Sequence, residues 1–184
     1  MLQRSQKPVG QNSKRGFTLV ELAVAVAVIA IVATIAVPSF NNLIRGSRLT
    51  SSANEMVSMM QTARVAAVSK RTSVSVCPSA NGATCDTAAG RRWIALSTKE
   101  GVLRDSVLNS AITVTTSPNL SGASNKFTFT PNGFSAVGAT TSGTVGLCAP
   151  DMTDSNGVDV SASAGRISTA RRLATAACTA PGDN

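Results

Sequence analysis

Residues 17–37 read FTLVELAVAVAVIAIVATIAV, and only Thr18, Glu21 and Thr34 interrupt this apolar stretch. A helix of these 21 residues would be about 30 Å long at 1.5 Å per residue, which is the thickness of a bilayer core. The apolar region of a cleavable secretory signal is shorter, at about 7–15 residues. The stretch therefore predicts a membrane-spanning helix near the N-terminus.

The charges that flank this helix predict its orientation. Residues 1–16 carry Arg4, Lys7, Lys14 and Arg15 and no acidic residue. Positively charged segments next to a membrane helix stay in the cytoplasm. We therefore expect a single pass through a bacterial inner membrane, with the rest of the chain in the periplasm, where disulfides form.

Glu21 is the unusual residue of the apolar helix, because a carboxylate inside a membrane costs on the order of a few kcal/mol. One interpretation is that it lies near the helix end and reaches the headgroups. The other is that it pairs with a cation. Cleavage between Gly16 and Phe17 would create an α-amine at Phe17, and the amine of a neighbouring subunit could then pair with Glu21 where the dielectric is low.

Residues 14–22, KRGFTLVEL, resemble the processing site of type IV prepilins and type II secretion pseudopilins. The shared features are a basic leader ending in glycine, then phenylalanine, then glutamate at the fifth mature position. The resemblance implies that a prepilin peptidase cleaves after Gly16 and methylates the amine of Phe17, and that Pro38 kinks the helix. It also implies other pilins and the pilus assembly platform as partners, and incorporation into an extracellular pilus.

Beyond Pro38 the apolar residues recur mostly at steps of three or four, which predicts an amphipathic helix to about residue 70. They are Phe40, Leu43, Ile44, Leu49, Ala53, Met56, Val57, Met60, Ala63 and Ala67. This stripe should pack on a β-layer, with the methionines in the core. We therefore predict an α+β fold of the pilin-like lollipop type, in which a long N-terminal helix packs on an antiparallel β-sheet domain. The divisions would be a leader at 1–16, a transmembrane helix at 17–37, an amphipathic helix at 38–70 and a β-rich periplasmic domain at 71–184.

The remainder of the chain reads as short strands between turn signals. The predicted strands are 72–77, 92–97, 111–116, 126–130, 144–148, 158–162 and 166–169. Pro131-Asn132-Gly133 and Ala164-Gly165 predict tight turns. We expect Trp93, in the second strand, to lie in the core.

Three stretches of this second part carry a further resemblance. They are ARVAAV at 63–68, FTFTPNG at 127–133 and the pair Gly165-Arg166. Together they resemble the GspH/FimT/FimU group of minor pilins and pseudopilins. The resemblance implies a structural subunit that aids initiation, assembly or tip function of a type IV pilus. The alternatives are a minor pilin that binds double-stranded DNA for uptake, and a type II secretion pseudopilin.

The four cysteines are Cys77, Cys85, Cys148 and Cys178, which allow three pairings. We favour Cys77–Cys85, which closes a small loop, and Cys148–Cys178, which ties the C-terminal tail to the sheet. A zinc site is the alternative, but the spacings are wider than in structural zinc motifs and the chain has no histidine.

Two groups of polar residues remain as candidate binding sites. Asp151, Asp154, Asn156 and Asp159 have oxygen ligands that suit calcium, although their spacing is not that of an EF-hand, and a polar loop with Asx turns is the favoured interpretation. The resemblance to DNA-binding FimT-type pilins implies a role for Arg166, Arg171 and Arg172. The alternative is that these arginines solubilise a sheet edge or meet a neighbouring subunit.

Composition argues against an enzyme. The chain lacks histidine, the commonest general base, and has no glycine-rich phosphate loop. The net charge of +8 is also less informative than it looks, because 13 basic and 9 acidic residues remain after residue 16. We therefore expect a structural subunit with no cofactor and no metal.

Overall fold

The computed structural model describes residues 16–150, 152, 155–173, 175 and 177–183, apart from the side chain of Pro38. Helix α1 spans Leu19–Ser69 and is 51 residues long. It ends because Arg71 adopts a left-handed conformation, with a φ of 46°, and Thr72 donates its N–H to the carbonyl of Ala67. This is a Schellman termination, close to the predicted end at residue 70. The predicted kink at Pro38 stays a prediction.

The chain divides after Phe40 into two compact units. In the first unit the apolar side chains of α1 are exposed, as at Leu19 (83%) and Ile35 (72%). A core helix of a water-soluble domain would bury such residues. This part of α1 is long and apolar enough to cross a membrane.

The second unit contains nine strands among the described residues, arranged in two antiparallel sheets. The first sheet has the order β3-β2-β1-β5-β6. Its members are β1 (Val74–Pro78), β2 (Arg92–Ser97), β3 (Gly101–Val107), β5 (Phe127–Phe129) and β6 (Ser135–Ala136). The second sheet has the order β4-β7-β8-β9. Its members are β4 (Thr113–Thr116), β7 (Ser142–Cys148), β8 (Gly157–Ser163) and β9 (Arg166–Arg172), and a short helix α2 (Pro118–Gly122) follows β4.

One hydrophobic core joins the second half of α1 to both sheets. The helix contributes residues three or four positions apart, which are Leu49, Ala53, Met56, Met59, Met60, Ala63 and Ala67. The strands contribute alternate residues, as in Val74 and Val76 of β1 and Val158 and Val160 of β8. Trp93 is fully buried in the same core. The predictions of a methionine-containing core and a buried tryptophan are confirmed.

The seven predicted strands all occur, with ends that differ by up to three residues. The two predicted turns also occur. Gly133 and Gly165 have φ values of 79° and 86°, and Ala164-Gly165 joins β8 to β9 as a two-residue hairpin. The sequence did not reveal β3, β6 or α2, nor the division of the β-layer into two sheets.

Candidate functional site

The predicted cleavage site lies immediately before helix α1. Gly16, Phe17 and Thr18 are not helical, and the side chain of Phe17 is 90% exposed. A Cβ atom added to Gly16 would have no neighbour within 4 Å. The Gly16–Phe17 peptide bond is therefore in irregular, accessible backbone, which a protease requires of its substrate.

Thr18 and Glu21 form a capping box that fixes where the helix begins. The Thr18 N–H donates to Oε2 of Glu21 at 3.1 Å, and the Glu21 N–H donates to the Thr18 hydroxyl at 3.2 Å. The first helical hydrogen bond runs from the Leu22 N–H to the Thr18 carbonyl. Sequence reasoning missed this role of Thr18, although the pattern Thr-x-x-Glu is the signature of such a cap.

The capping box uses only one of the two carboxylate oxygens of Glu21. The Thr18 hydroxyl also donates to Oε2, at 3.1 Å, whereas Oε1 accepts no hydrogen bond from any described residue. Glu21 is thus held by its own chain at a fixed position, with one oxygen left for a donor from outside. This arrangement accommodates both a helix cap and the predicted pairing with an amine.

The structure joins Cys77 to Cys85 and Cys148 to Cys178, with Cα–Cα distances of 5.5 and 5.7 Å. These are the two pairs that the sequence favours. The second disulfide lies where the C-terminal tail covers the outer face of the second sheet. Pro181 of the tail is buried there, above Gly146 of β7.

The three candidate arginines of β9 do not converge on one surface. Alternate residues of a strand point to opposite faces, so Arg171 and Arg172 diverge. Arg171 donates to the Thr50 hydroxyl of α1 at 3.0 Å. Arg166 is at the opposite end of β9, about 20 Å away at roughly 3.3 Å per residue.

Arg172 is engaged inside the domain. Its Nε lies 2.6 Å from Oδ1 of Asp159, and its Nη2 donates to the Thr179 carbonyl at 2.7 Å. The Asp159 side chain is only 9% exposed. The guanidinium therefore links a buried carboxylate to the tail and is not displayed for a ligand.

The acidic loop is only partly described, because Asp151 and Asp154 lie outside the described residues. The two other members have partners within the protein. Asp159 pairs with Arg172, and Asn156 donates from Nδ2 to the Thr175 carbonyl at 3.5 Å. In the part of the chain that the structure describes, no group of acidic residues, cysteines or histidines could hold a metal ion.

Two ion pairs hold β3 in place. Arg104 donates to Oε1 of Glu55 on α1 at 2.7 Å, and this bond, with a second from Ser106, lowers the pKa of Glu55 below its ordinary value. On the other face Arg92 donates to both carboxylate oxygens of Asp105, which lowers the pKa of Asp105. Both acids are thus stabilised as carboxylates.

Basic residues collect where α1 ends. Lys70 pairs with Glu100, which places the β2–β3 turn beside the helix terminus. Gly165 packs against the backbone of Gly133, and a Cβ on Gly133 would touch Val68 of α1. We call Lys70, Arg71, Lys99 and Arg166 the basic end of the domain. Each of the four is exposed, and Glu100 neutralises the first.

Two family models match this chain. The model of the type II transport protein GspH covers residues 52–165, and the model of the prokaryotic N-terminal methylation motif covers residues 11–37. The first match spans more than half of the chain. The chain belongs to the GspH family. Its N-terminal motif is the one in which we placed Gly16, Phe17 and Glu21.

Three known proteins are similar to this chain in sequence or in fold. The chain is 38% identical over 77 residues to prepilin peptidase-dependent protein D of Escherichia coli strain K12, a match that spans 41% of this chain and 45% of that relative. The type IV minor pilin FimU of Pseudomonas aeruginosa strain PAO1 aligns with a TM-score of 0.50 at 26% identity, over 73% of this chain and 93% of FimU. The minor pseudopilin EpsH of the Vibrio cholerae type 2 secretion system aligns with a TM-score of 0.44 at 10% identity, over 68% of this chain and 97% of EpsH.

The fold and class predicted from the sequence are therefore confirmed. The chain has the α+β fold of pilin-like proteins, a long N-terminal helix on antiparallel sheets, and it belongs with the minor pilins and pseudopilins. These are families of structural subunits and not of enzymes.

Proposed function

We propose that this GspH-family chain is a minor subunit of a type IV pilus, anchored in the inner membrane by residues 17–37 until it enters the filament. Residues 1–16 would be the leader that prepilin peptidase removes, and Phe17 the residue that it methylates. The cleavage site is accessible and the methylation motif spans it. The likeness to FimU favours a pilus over a secretion system.

The observation that carries this proposal is that only one of the two carboxylate oxygens of Glu21 accepts hydrogen bonds from described residues. The capping box holds the carboxylate through Oε2 and leaves Oε1 to accept a hydrogen bond. In hydrocarbon an unpaired carboxylate is costly, and a cation close to it removes much of that cost. The amine of Phe17 from a neighbouring subunit, made by cleavage after Gly16, is such a cation.

Substitution at Glu21 separates capping from charge pairing. Glu21→Gln keeps an oxygen that can accept from Thr18 but removes the charge, whereas Glu21→Ala removes both. We expect both variants to stay in the membrane and to lose association with other pilins. Thr34→Ala is the matched control, because the Thr34 hydroxyl donates only to the Ile31 carbonyl of its own helix.

The measurements are membrane fractionation, mass spectrometry of the mature N-terminus, and co-purification with named pilins after detergent extraction. If the Glu21→Gln variant still associates normally with other pilins, charge pairing is refuted, and the only remaining role of Glu21 is to cap the helix. A mature protein that still begins at Met1 would refute the processing step, and with it the filament proposal. Pilus counts and protein secretion in a strain without the chain distinguish a pilus subunit from a secretion pseudopilin.

DNA binding is the second candidate function, and the basic end is the observation that favours it. Arg71, Lys99 and Arg166 lie there without an ion pair to any described residue, and basic side chains grip phosphates without reading sequence. A gel-shift titration with duplex DNA tests it. We expect alanine at these three positions to weaken binding and Arg171→Ala, the control, to leave it unchanged. The opposite ranking, or no salt-dependent binding, would exclude this surface.

A further inference from the structure

The two sheets differ in how their outer edges are protected. β9 is one of the two edges of the second sheet, and its Arg166 and Arg171 make no ion pair with any described residue. Unpaired charges on an edge strand are a usual way to prevent pairing with another strand. β3 is one of the two edges of the first sheet, and β2 is its only strand partner among the described residues.

The charged residues of β3 are withdrawn from its edge. Arg104 turns to α1, where it meets Glu55 at 2.7 Å and Ser58 at 2.9 Å. Asp105 is held by Arg92 of β2. The exposed residues of the strand include Val102 at 39% and Val107 at 64%. In contrast to β9, this edge presents no unpaired charge that would repel a second strand.

Some backbone hydrogen-bonding groups of β3 point away from β2 at this edge and have no partner among the described residues. The Leu108 N–H donates to the Arg91 carbonyl at 2.9 Å, and Val107 faces Arg92 in the register. Hydrogen-bonded and non-hydrogen-bonded pairs alternate along an antiparallel ladder. It follows that Ser106 and Leu108 direct their backbone groups to β2, whereas Asp105 and Val107 direct theirs outward.

A polar cleft adjoins the same end of β3. Its volume is about 550 Å³, and its lining includes Ser47, Arg48, Ser51, Ser106, Val107 and Asn109. The Arg48 side chain is exposed and makes no ion pair with any described residue. An extended segment lying along β3 would place side chains in this cleft, where hydroxyls favour small polar groups and Arg48 favours a carboxylate.

We propose that β3 binds an extended segment of a different pilin-like subunit, which adds a sixth strand to the first sheet. The segment would pair with the backbone of Asp105 and Val107 and present a carboxylate to Arg48. If the β3 strand of a second copy lay along this edge, its acidic residues could not supply the carboxylate for Arg48, because Asp105 and Glu55 are already paired with Arg92 and Arg104. Pairing of two copies through β3 is therefore a poorer match than pairing with a different subunit. The proposal rests on the proposed function as a filament subunit.

Photocrosslinking of the full chain in cells tests the position directly. A photoreactive phenylalanine analogue replaces Val107, and the control replaces Ser168, which is exposed on the arginine-guarded edge strand β9. We expect crosslinks from position 107 to one pilin-like subunit, mapped by mass spectrometry to a short extended segment, and none from position 168. Crosslinks from 107 only to a second copy, only to proteins outside the filament, or to nothing would overturn the proposal.

Proline at Val107 tests the hydrogen bonding. Because this N–H points away from β2, Val107→Pro removes an outward donor and keeps the β2–β3 ladder. Loss of this one backbone hydrogen bond, worth about 1 kcal/mol, should lower the recovery of that subunit about fivefold. Val107→Thr keeps the N–H and should stay within about twofold. Equal recovery with Val107→Pro would overturn the proposal, and the crosslinks decide the question if that variant does not fold.

The fractionation of the chain distinguishes the failure of this proposal from that of the proposed function. If the chain enters filaments in a manner that depends on Glu21 but gives no crosslink from position 107, only the β3 proposal is overturned. If no chain is found with other pilins at all, the proposed function fails, and this proposal fails with it.

Discussion

The Cys148–Cys178 disulfide should contribute more to stability than Cys77–Cys85. The perturbation is alanine at both cysteines of one pair, in the domain from Asn41 onward, which contains the whole described core. The pairs are separated by 30 and 8 residues respectively. The loss of loop-closure entropy in the unfolded chain then predicts a stabilisation of about 3.6 kcal/mol by the disulfide with the longer loop and about 2.5 kcal/mol by the one with the shorter loop.

The tail contacts add to this difference. Cys178 anchors the segment whose Thr179 carbonyl accepts from Arg172 and whose Asp183 carboxylate accepts from the Asn119 N–H at 3.1 Å. A tail that detaches loses these bonds and exposes Pro181. The free energy of unfolding should therefore fall by at least 1 kcal/mol more in the Cys148→Ala, Cys178→Ala variant than in the other, judged from the loop lengths alone.

Urea unfolding followed by circular dichroism measures both differences at one pH and temperature. A thiol reductant applied to the unmodified domain is the control, and it should lower stability at least as much as either pair of substitutions. The reasoning is refuted if the Cys77→Ala, Cys85→Ala variant is the less stable of the two. It is also refuted if loss of the longer loop costs less than about 1 kcal/mol, because tail docking would then be independent of the crosslink.

Three further predictions concern single contacts. Asp159→Asn should lower the free energy of unfolding by about 3 kcal/mol in the same urea experiment, because it leaves the Arg172 guanidinium without its buried charged partner. Glu100→Gln, at the exposed ion pair with Lys70, should lower it by less than about 1 kcal/mol. Because the pKa of Glu55 is lowered in the folded state, its carboxylate stabilises the fold at pH values above the ordinary glutamate pKa of about 4.3, and this stabilisation should be lost as the pH falls below that value. Thermal melts from pH 6 to about pH 3 should therefore show a smaller loss of stability for Glu55→Gln than for the unmodified protein. Gly165→Ala should cost more than about 2 kcal/mol, since its φ is 86° and its Cβ would clash with the carbonyl of the facing turn; an unchanged melting temperature would show that the turn can move.

The anchor, the long helix and most strands could be predicted because each depends on a local pattern. The apolar run to Val37 fixes the first half of α1, and steps of three and four fix the second half. Period-two patterns identify strands such as the one ending at Cys77. Length, spacing and turn residues are properties of adjacent positions, so one sequence suffices to read them.

The elements that were missed depend on contacts between distant positions. β3 contains Arg104 and Asp105 at its centre, and these charges interrupt the alternating apolar pattern by which a strand is recognised. The strand is compatible with them because Glu55 and Arg92 neutralise them in the folded protein. The division into two sheets depends on pairings such as β1 with β5, whose partners are about fifty residues apart. Cross-strand pairing of this range leaves no signal in a single sequence.

The candidate arginines show where a spacing argument breaks down. Arg166, Arg171 and Arg172 are close in sequence, but strand geometry sends the last two to opposite faces and places the first at the far end. The basic end instead combines Arg166 with Arg71 and Lys99 from elsewhere in the chain, which no local motif predicts.

Glu21 combines the two kinds of inference. Its position five residues after the predicted cut was readable from the sequence, and so was the cost of its charge in a membrane. Only the structure shows that Thr18 takes Oε2 and leaves Oε1. A carboxylate already held in this way has less side-chain entropy to lose on pairing with an amine than a free glutamate has. The cap that begins the helix would thereby also prepare the contact that assembles the filament.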